Sequence, residues 1–278
     1  MILSCSDYTF PLLPRAQRFA LLQLLGFKYV DIGLFERSPD LSPVQLLASP
    51  RAFTKKLQYD LKRSELQVSD LFLQTGLDPV VSAANDSSLA VRSRNHKIFL
   101  LALDLCDALG CTHLTSLPGV WHKGTKKIDD RALAVEEACW RQQAASDAGV
   151  SYSIEPHIGS ICSDIASTRA FLGSVPGLTL TLDYGHFVSA NMESRAVHSL
   201  LPYTSHIHAR GGAPNRLQVP VSENEIDFGG MVRRLRKWEY NGFIAIEYVW
   251  ADWMHCNRTD NVSETLLLRR QLAGYLKR

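Results

Sequence analysis

LTLTLDYGH, residues 178–186, is a short apolar run that stops on an acidic residue and gives way to a glycine-containing loop. Its leucines and threonines suit a buried strand, and Asp183 comes where that strand ends. Three more stretches share the form: SYSIEPH (151–157) ends on Glu155, SHIHARGG (205–212) on His208, and FIAIEYV (243–249) on Glu247. Residues at the ends of successive strands converge if the strands run parallel. In a barrel of alternating strands and helices, all the carboxyl ends open on one rim, where catalytic groups collect.

The rest of the chain keeps the same beat. ILSCS (2–6) reads as a first strand, AQRFALLQLLG as a helix stopped by Gly26, YVDIGLF (29–35) as a second strand, and residues 50–65 as a helix. QVSDLFLQT and THLTSLPG read as strands three and four around the helix HKIFLLALDLCDALG, and a long helix through ALAVEEACWRQQAASDAG leads to strand five at 150–155. SDIASTRAFLGSV, ESRAVHSLLPY and GGMVRRLRKWEYNG supply the helices between strands six (LTLTLDY), seven (HIHAR) and eight (GFIAIEY). The final helix begins near Asn261, with Ser263 as its expected cap. Eight strands alternating with helices predict an α/β protein with right-handed crossovers, a (β/α)8 TIM barrel forming a single domain over residues 1–278. An open doubly wound sheet is the runner-up, but no GxGxxG or GxxxxGK[ST] loop follows any strand.

Composition agrees. The 278 residues match the roughly 250 of one such barrel, and 46% hydrophobic residues suffice for a large core. Thirty basic against 28 acidic side chains leave a net charge of +2, and LKRSEL, VRSRNHK and VRRLRKW read as solvated helix faces, so nucleic acid is not an expected partner. The opening MILSCSDYTFPLL lacks signal-peptide form and no run reaches the ~18 apolar residues of a membrane span, so a soluble, cytoplasmic protein with no membrane association is expected. The six cysteines form no CxxC pair and read as free packing thiols.

Glu155, Asp183, His208 and Glu247 fall one strand–helix unit apart and together make an oxygen-rich donor set. Such a set suits one divalent ion, Mn²⁺ foremost, with Mg²⁺ or Co²⁺ as alternatives, better than the thiolate or multi-histidine shells of structural zinc. One carboxylate at a strand end is commonly a cap or ion-pair partner. Three on one rim without a cation would cost several kcal/mol in repulsion and desolvation.

This set resembles the xylose isomerase-like TIM barrel family, especially its sugar phosphate isomerase and epimerase branches. The family's ligands are Glu, Asp, His and Glu from strands five to eight; its Asp is followed three positions later by a His, matched here by His186. Its ligand is the second His of HxH, which selects His208 over His206. Arg216 in ARGGAPNR matches a basic residue of the following loop, and ENEIDF is similar to the family's GEIDW-like segment. HARGGAPNRLQVPVSENEIDF is similar to a hydroxypyruvate isomerase signature, and HIH to the ketose 3-epimerases. Departures occur at Ile161, where the epimerases carry a further Glu, at Asn224 in place of Gly, and at Tyr248 in place of Pro.

The resemblance implies a divalent-metal-dependent isomerase or epimerase that takes a small sugar, ketose or keto-acid through an enediolate. Glu155 and Glu247 are the expected acid/base pair. His186, Arg216, Arg210 and Trp121 are candidate substrate contacts, and Tyr8, Phe35, Trp250 and Trp253 candidate rim aromatics. His113, His122 and His157 lie near the ends of strands four and five. The Gly211-Gly212 turn offers backbone donors to a substrate phosphate, and homodimers or homotetramers are the family's habit. A lyase or dehydratase of inosose dehydratase type would use the same site. The related endonucleases draw histidine ligands from strands two and three, where this chain has Asp31 and Asp70, so phosphodiester hydrolysis is disfavoured. An inactive partner subunit is the remaining alternative.

Overall fold

The computed structural model describes residues 1–277 and closes eight parallel strands into one barrel in the order β1 to β8. The strands are β1 (Ile2–Ser6), β2 (Tyr29–Phe35), β3 (Gln67–Gln74), β4 (His113–Ser116), β5 (Ser151–Ile154), β6 (Thr179–Asp183), β7 (Thr204–Ala209) and β8 (Phe243–Ile246). Around them run α1 (Arg15–Leu24), α2 (Pro43–Ala48), α3 (Pro50–Arg63), α4 (Leu89–Leu109), α5 (Lys127–Asp147), α6 (Ile165–Leu172), α7 (Tyr184–Ser189), α8 (Ser194–Val197), α9 (Phe228–Lys237) and α10 (Asn261–Lys277). Pairing of Ile2 with Phe243 and Cys5 with Ile246 seals the ring. The single (β/α)8 domain read from the sequence is therefore the fold; Arg278, its expected last residue, lies outside the described residues.

Alternation along each strand builds two cores. Val30, Ile32 and Leu34 of β2, Leu71 and Leu73 of β3, and Leu180 and Leu182 of β6 are buried and join one apolar cluster with Phe19, Phe99, Phe171 and Leu235 of the helices. Each such side chain contributes about 1.5–3 kcal/mol by leaving water. The intervening residues face the lumen, as cross-barrel contacts prove. Thr115 of β4 bonds Thr181 of β6 at 2.7 Å, past β5, and Thr181 also bonds Ser153 at 2.6 Å. Barrel lumens are normally filled by branched aliphatics; this one carries hydroxyls, carboxylates and imidazoles, most of them bonded to one another, with Asp70 Oδ2 left unpartnered among the described residues.

Local chemistry explains most element ends. Gly110 stops α4 in the left-handed conformation at φ 66°. That helix starts earlier than its apolar run, at Leu89, because Ser88 accepts a hydrogen bond from the Val91 amide and the intervening polar residues continue on the solvent face. The last helix is capped by Asp260, not Ser263. Asp260 Oδ1 accepts from the amides of Val262 and Ser263, and the Ser263 hydroxyl donates to Asp260 Oδ2, so a carboxylate one step before the helix outcompetes a hydroxyl inside it. ESRAVHSLLPY forms only the single turn α8 followed by 3-10 turns through Pro202, which has no amide to continue an α-helix. All six cysteines are free, five of them buried. No helix among the described residues is long and apolar enough to cross a membrane.

Candidate metal centre

The four strand-end residues meet at the carboxyl rim, all nearly or fully buried. The last ladder bonds fix their backbones: the Glu155 amide donates to Ser116 O and the Glu247 amide to Ala209 O, both at 2.9 Å, while Asp183 pairs in register with His208 and His208 with Ala245. Asp183 also caps α7, its Oδ1 accepting from the Gly185 amide at 2.7 Å. That cap turns the chain so that His186 comes back over the rim, with Nε2 3.7 Å from Asp183 Oδ2.

His208 is the hub. Its Nδ1 lies 2.6 Å from Glu155 Oε1 and 3.3 Å from Glu247 Oε2. Its Nε2 lies 3.4 Å from Asp31 Oδ2 and 3.5 Å from the Tyr8 hydroxyl. One ring nitrogen thus faces the carboxylates of the rim, and the other is oriented from below by a buried carboxylate, the arrangement that sets tautomer and direction in metal-binding histidines. Donor atoms of Glu155, His208 and Glu247 all lie within 4.8 Å of one another, as do those of Glu155, Asp183 and His186.

A further donor group, Asp31, Asp70, His206 and His208, lies in the lumen. It too is a possible divalent-metal site, and of its four carboxylate oxygens only Asp70 Oδ2 has no hydrogen-bond partner among the described residues. Asp31 accepts from His206 Nε2 at 2.6 Å, Ser69 at 2.5 Å and Ser4 at 3.2 Å, and Asp70 Oδ1 is 2.6 Å from His113 Nδ1. His113 in turn reaches Ser205 at 2.8 Å. The rim offers three carboxylates and one imidazole against two and two in the lumen, but its donors fall into two groups that share Glu155.

Electrostatics separate the two glutamates. Burial works to raise the carboxyl of Glu155, but the adjoining His208, then His186 and Arg210, bring it down to about 2. Burial pushes Glu247 up to about 8, against Arg210 and His208 and with help from Glu155 and Asp183. Burial opposes charge on His208, yet Glu247, Glu155 and Asp31 hold it well above the usual imidazole range. Burial and the neighbouring charges thus move the two glutamates in opposite directions, Glu155 down and Glu247 up. That split is how one site supplies both a base and an acid.

The other sequence candidates are distributed unevenly. Arg210 is buried, and its guanidinium donates from Nε to Asp183 Oδ2 at 2.9 Å and from one Nη to Glu247 Oε2 at 2.8 Å, with a second close contact to Asp183. His186 is held neutral by burial, down to about 4, and among the described residues its Nδ1 has no hydrogen-bond partner; nor has Nε2 of His157, whose ring centre is 6.0 Å away. Trp253 stands 6.1 Å from His186, and Tyr8 packs edge-on against Phe35 at 4.8 Å. Arg216 is half exposed and pairs with Glu223. Trp121 is half-buried beneath Lys127, Trp250 is exposed, and His122 bonds Asp130. The Gly211-Gly212 turn is not a free phosphate cradle. The Gly211 amide donates to the Tyr248 hydroxyl and the Gly212 amide to Asn224 Oδ1, both at 3.1 Å, which gives the two unusual residues Tyr248 and Asn224 a common task.

Asp31 under His208 is the main residue missed as a member of the site. Its signal was present, since a carboxylate inside the apolar strand YVDIGLF must find a cationic or hydrogen-bonding partner.

A family model described as "Xylose isomerase-like TIM barrel" matches residues 19–272. Among similar solved structures are a D-allulose 3-epimerase from Methylomonas sp. (18% identity, 99% of this chain and 98% of that one, TM-score 0.74) and a probable 3-DHS dehydratase of petrobactin synthesis from Bacillus anthracis (15%, 97% and 99%, 0.70). A xylose isomerase-like TIM barrel protein from Mycobacterium smegmatis in complex with magnesium is also similar (15%, 99% and 97%, 0.74). At these identities the likeness is one of fold. No curated protein matches the chain in sequence.

Proposed function

The chain belongs to the xylose isomerase-like TIM barrel family, and from that premise we propose that it is a divalent-metal-dependent isomerase or epimerase of a small sugar, ketose or keto-acid. Glu155, Asp183, His208 and Glu247 would hold the ion, for which Mn²⁺ is the first choice and Mg²⁺ or Co²⁺ the alternatives. When bound, such an ion polarises a substrate carbonyl and stabilises the negative charge that develops as the neighbouring carbon loses its proton.

The protein's own groups do the proton work. Glu155 and Glu247 form the acid/base pair: one takes the proton from carbon, and the other returns one to the other face or to the adjacent carbon. The observation that carries this reading is the pair of buried glutamates on one His208 nitrogen, Glu155 at 2.6 Å and Glu247 at 3.3 Å. Neutral His186 presents an unpartnered nitrogen to a substrate hydroxyl, with the ring of Trp253 beside it. A dehydratase reading uses the same residues. The resemblance to the Bacillus anthracis dehydratase supports it as the second choice, since loss of a neighbouring hydroxyl needs only one further step.

The test is incubation of Mn²⁺-loaded protein with a panel of keto-sugars and keto-acids in D₂O. Deuterium in recovered or isomerised substrate supports the isomerase reading, and a dehydrated product supports the lyase. Glu155→Gln and Glu247→Gln should each lower the rate by about 10²- to 10⁴-fold. Full metal occupancy with no exchange and no product across the panel would count against both.

A further inference from the structure

Arg210 stands one residue past the end of β7, and its side chain reaches Glu247, as that of His208 does. Its guanidinium is 3% exposed and all its hydrogen bonds go to two of the four residues that the proposed function assigns to the metal. Asp183 is fully committed, with Oδ1 on the Gly185 amide and Oδ2 on the guanidinium. Glu247 Oε2 is shared between the same guanidinium and His208. In consequence Asp183 groups with Glu155 and His186, while Glu247 groups with Glu155 and His208; Arg210 divides the donor set in two.

We propose that Arg210 is a resident counter-cation that competes with the divalent ion for Asp183 and Glu247. This inference rests on the metal reading above. An arginine cannot surrender its charge by losing a proton, so the ion can gain full hold of Asp183 only if the guanidinium moves away. Two consequences follow from that chemistry. The buried carboxylates stay compensated when no metal is bound, so the protein folds without one. The ion is held less tightly than its four ligands would otherwise allow, because ligation must break charge-assisted hydrogen bonds already made.

The experiment strips the protein with EDTA and titrates wild type, Arg210→Met and Arg210→Lys with Mn²⁺, reading free Mn²⁺ by electron paramagnetic resonance and unfolding by differential scanning fluorimetry. Arg210→Met should bind Mn²⁺ about tenfold or more tightly than wild type, and Arg210→Lys should fall between them. Metal-free Arg210→Met should melt below wild type and recover with Mn²⁺. If it does not fold without metal, preparation in Mn²⁺ followed by competition against a chelator gives the same comparison. Tight binding by wild type with equal or weaker binding by Arg210→Met would overturn this inference while leaving the metal reading intact. Absence of Mn²⁺ binding in all three proteins would overturn both.

Discussion

Replacing Asp31 by asparagine tests whether the lumen supports the rim. Asp31 is fully buried and accepts four contacts: His206 at 2.6 Å, Ser69 at 2.5 Å, Ser4 at 3.2 Å and, more loosely, His208 at 3.4 Å. Asparagine keeps the volume and one acceptor for the two serines, so the loss is confined to the carboxylate's hold on two imidazoles. Removing one partner of a buried ion pair costs on the order of 3–5 kcal/mol. The retained hydrogen bonds place Asp31→Asn at the lower end, about 3 kcal/mol, measured by urea denaturation of metal-free protein. A carboxylate that orients a metal-bound histidine through its far nitrogen is worth about 10- to 100-fold in metal affinity. Mn²⁺ titration of the same variant should show that loss. If Asp31→Asn binds Mn²⁺ as wild type does, His208 is oriented by its strand alone and the proposed coupling between lumen and rim is wrong. If stability is unchanged as well, the Asp31–His206 contact contributes nothing net.

Two further outcomes follow from the geometry. His186 is buried and its proton affinity is depressed to about 4, so the folded state binds fewer protons than the unfolded one between about pH 6.5 and 4; stability from this group is present above 6.5 and is lost as pH falls through that window. The gap in unfolding free energy between wild type and His186→Gln should move against wild type by about 3 kcal/mol from pH 7 to pH 4, and a constant gap would contradict a neutral buried imidazole. A methyl group on Gly33 would come within 2.5 Å of Tyr8 and 2.8 Å of Phe35, so Gly33→Ala should displace the aromatic pair beside His208 at a cost of about 1–3 kcal/mol in urea melts, whereas unchanged stability would mean that the rings have room to turn.

The strand ends were legible because both signals involved are local. Apolar runs mark buried strands, and a polar residue at the end of each marks the rim, whatever the rest of the chain does. His206 and His208 were visibly on one face, since a strand repeats every two residues. The outer core was legible for the same reason: Val30, Ile32 and Leu34 alternate against Asp31 and Gly33. Ser263 misled as a cap because Asp260 competes for the same amides, and only the backbone path shows which side chain reaches them.

What the sequence by itself determined is the alternation of strand and helix and the identity of the residues delivered to the rim. What only the tertiary structure decided is how those residues pair: Asp31 with His206, 175 positions away, Thr115 with Thr181 across the lumen, and Arg210 between Asp183 and Glu247. Periodicity acts within a strand, so it tells which face a side chain takes. The distance between two such faces depends on how the whole ring closes, from β1 on β8 round to β7, and that closure is a sum over all the packed layers that no single stretch contains.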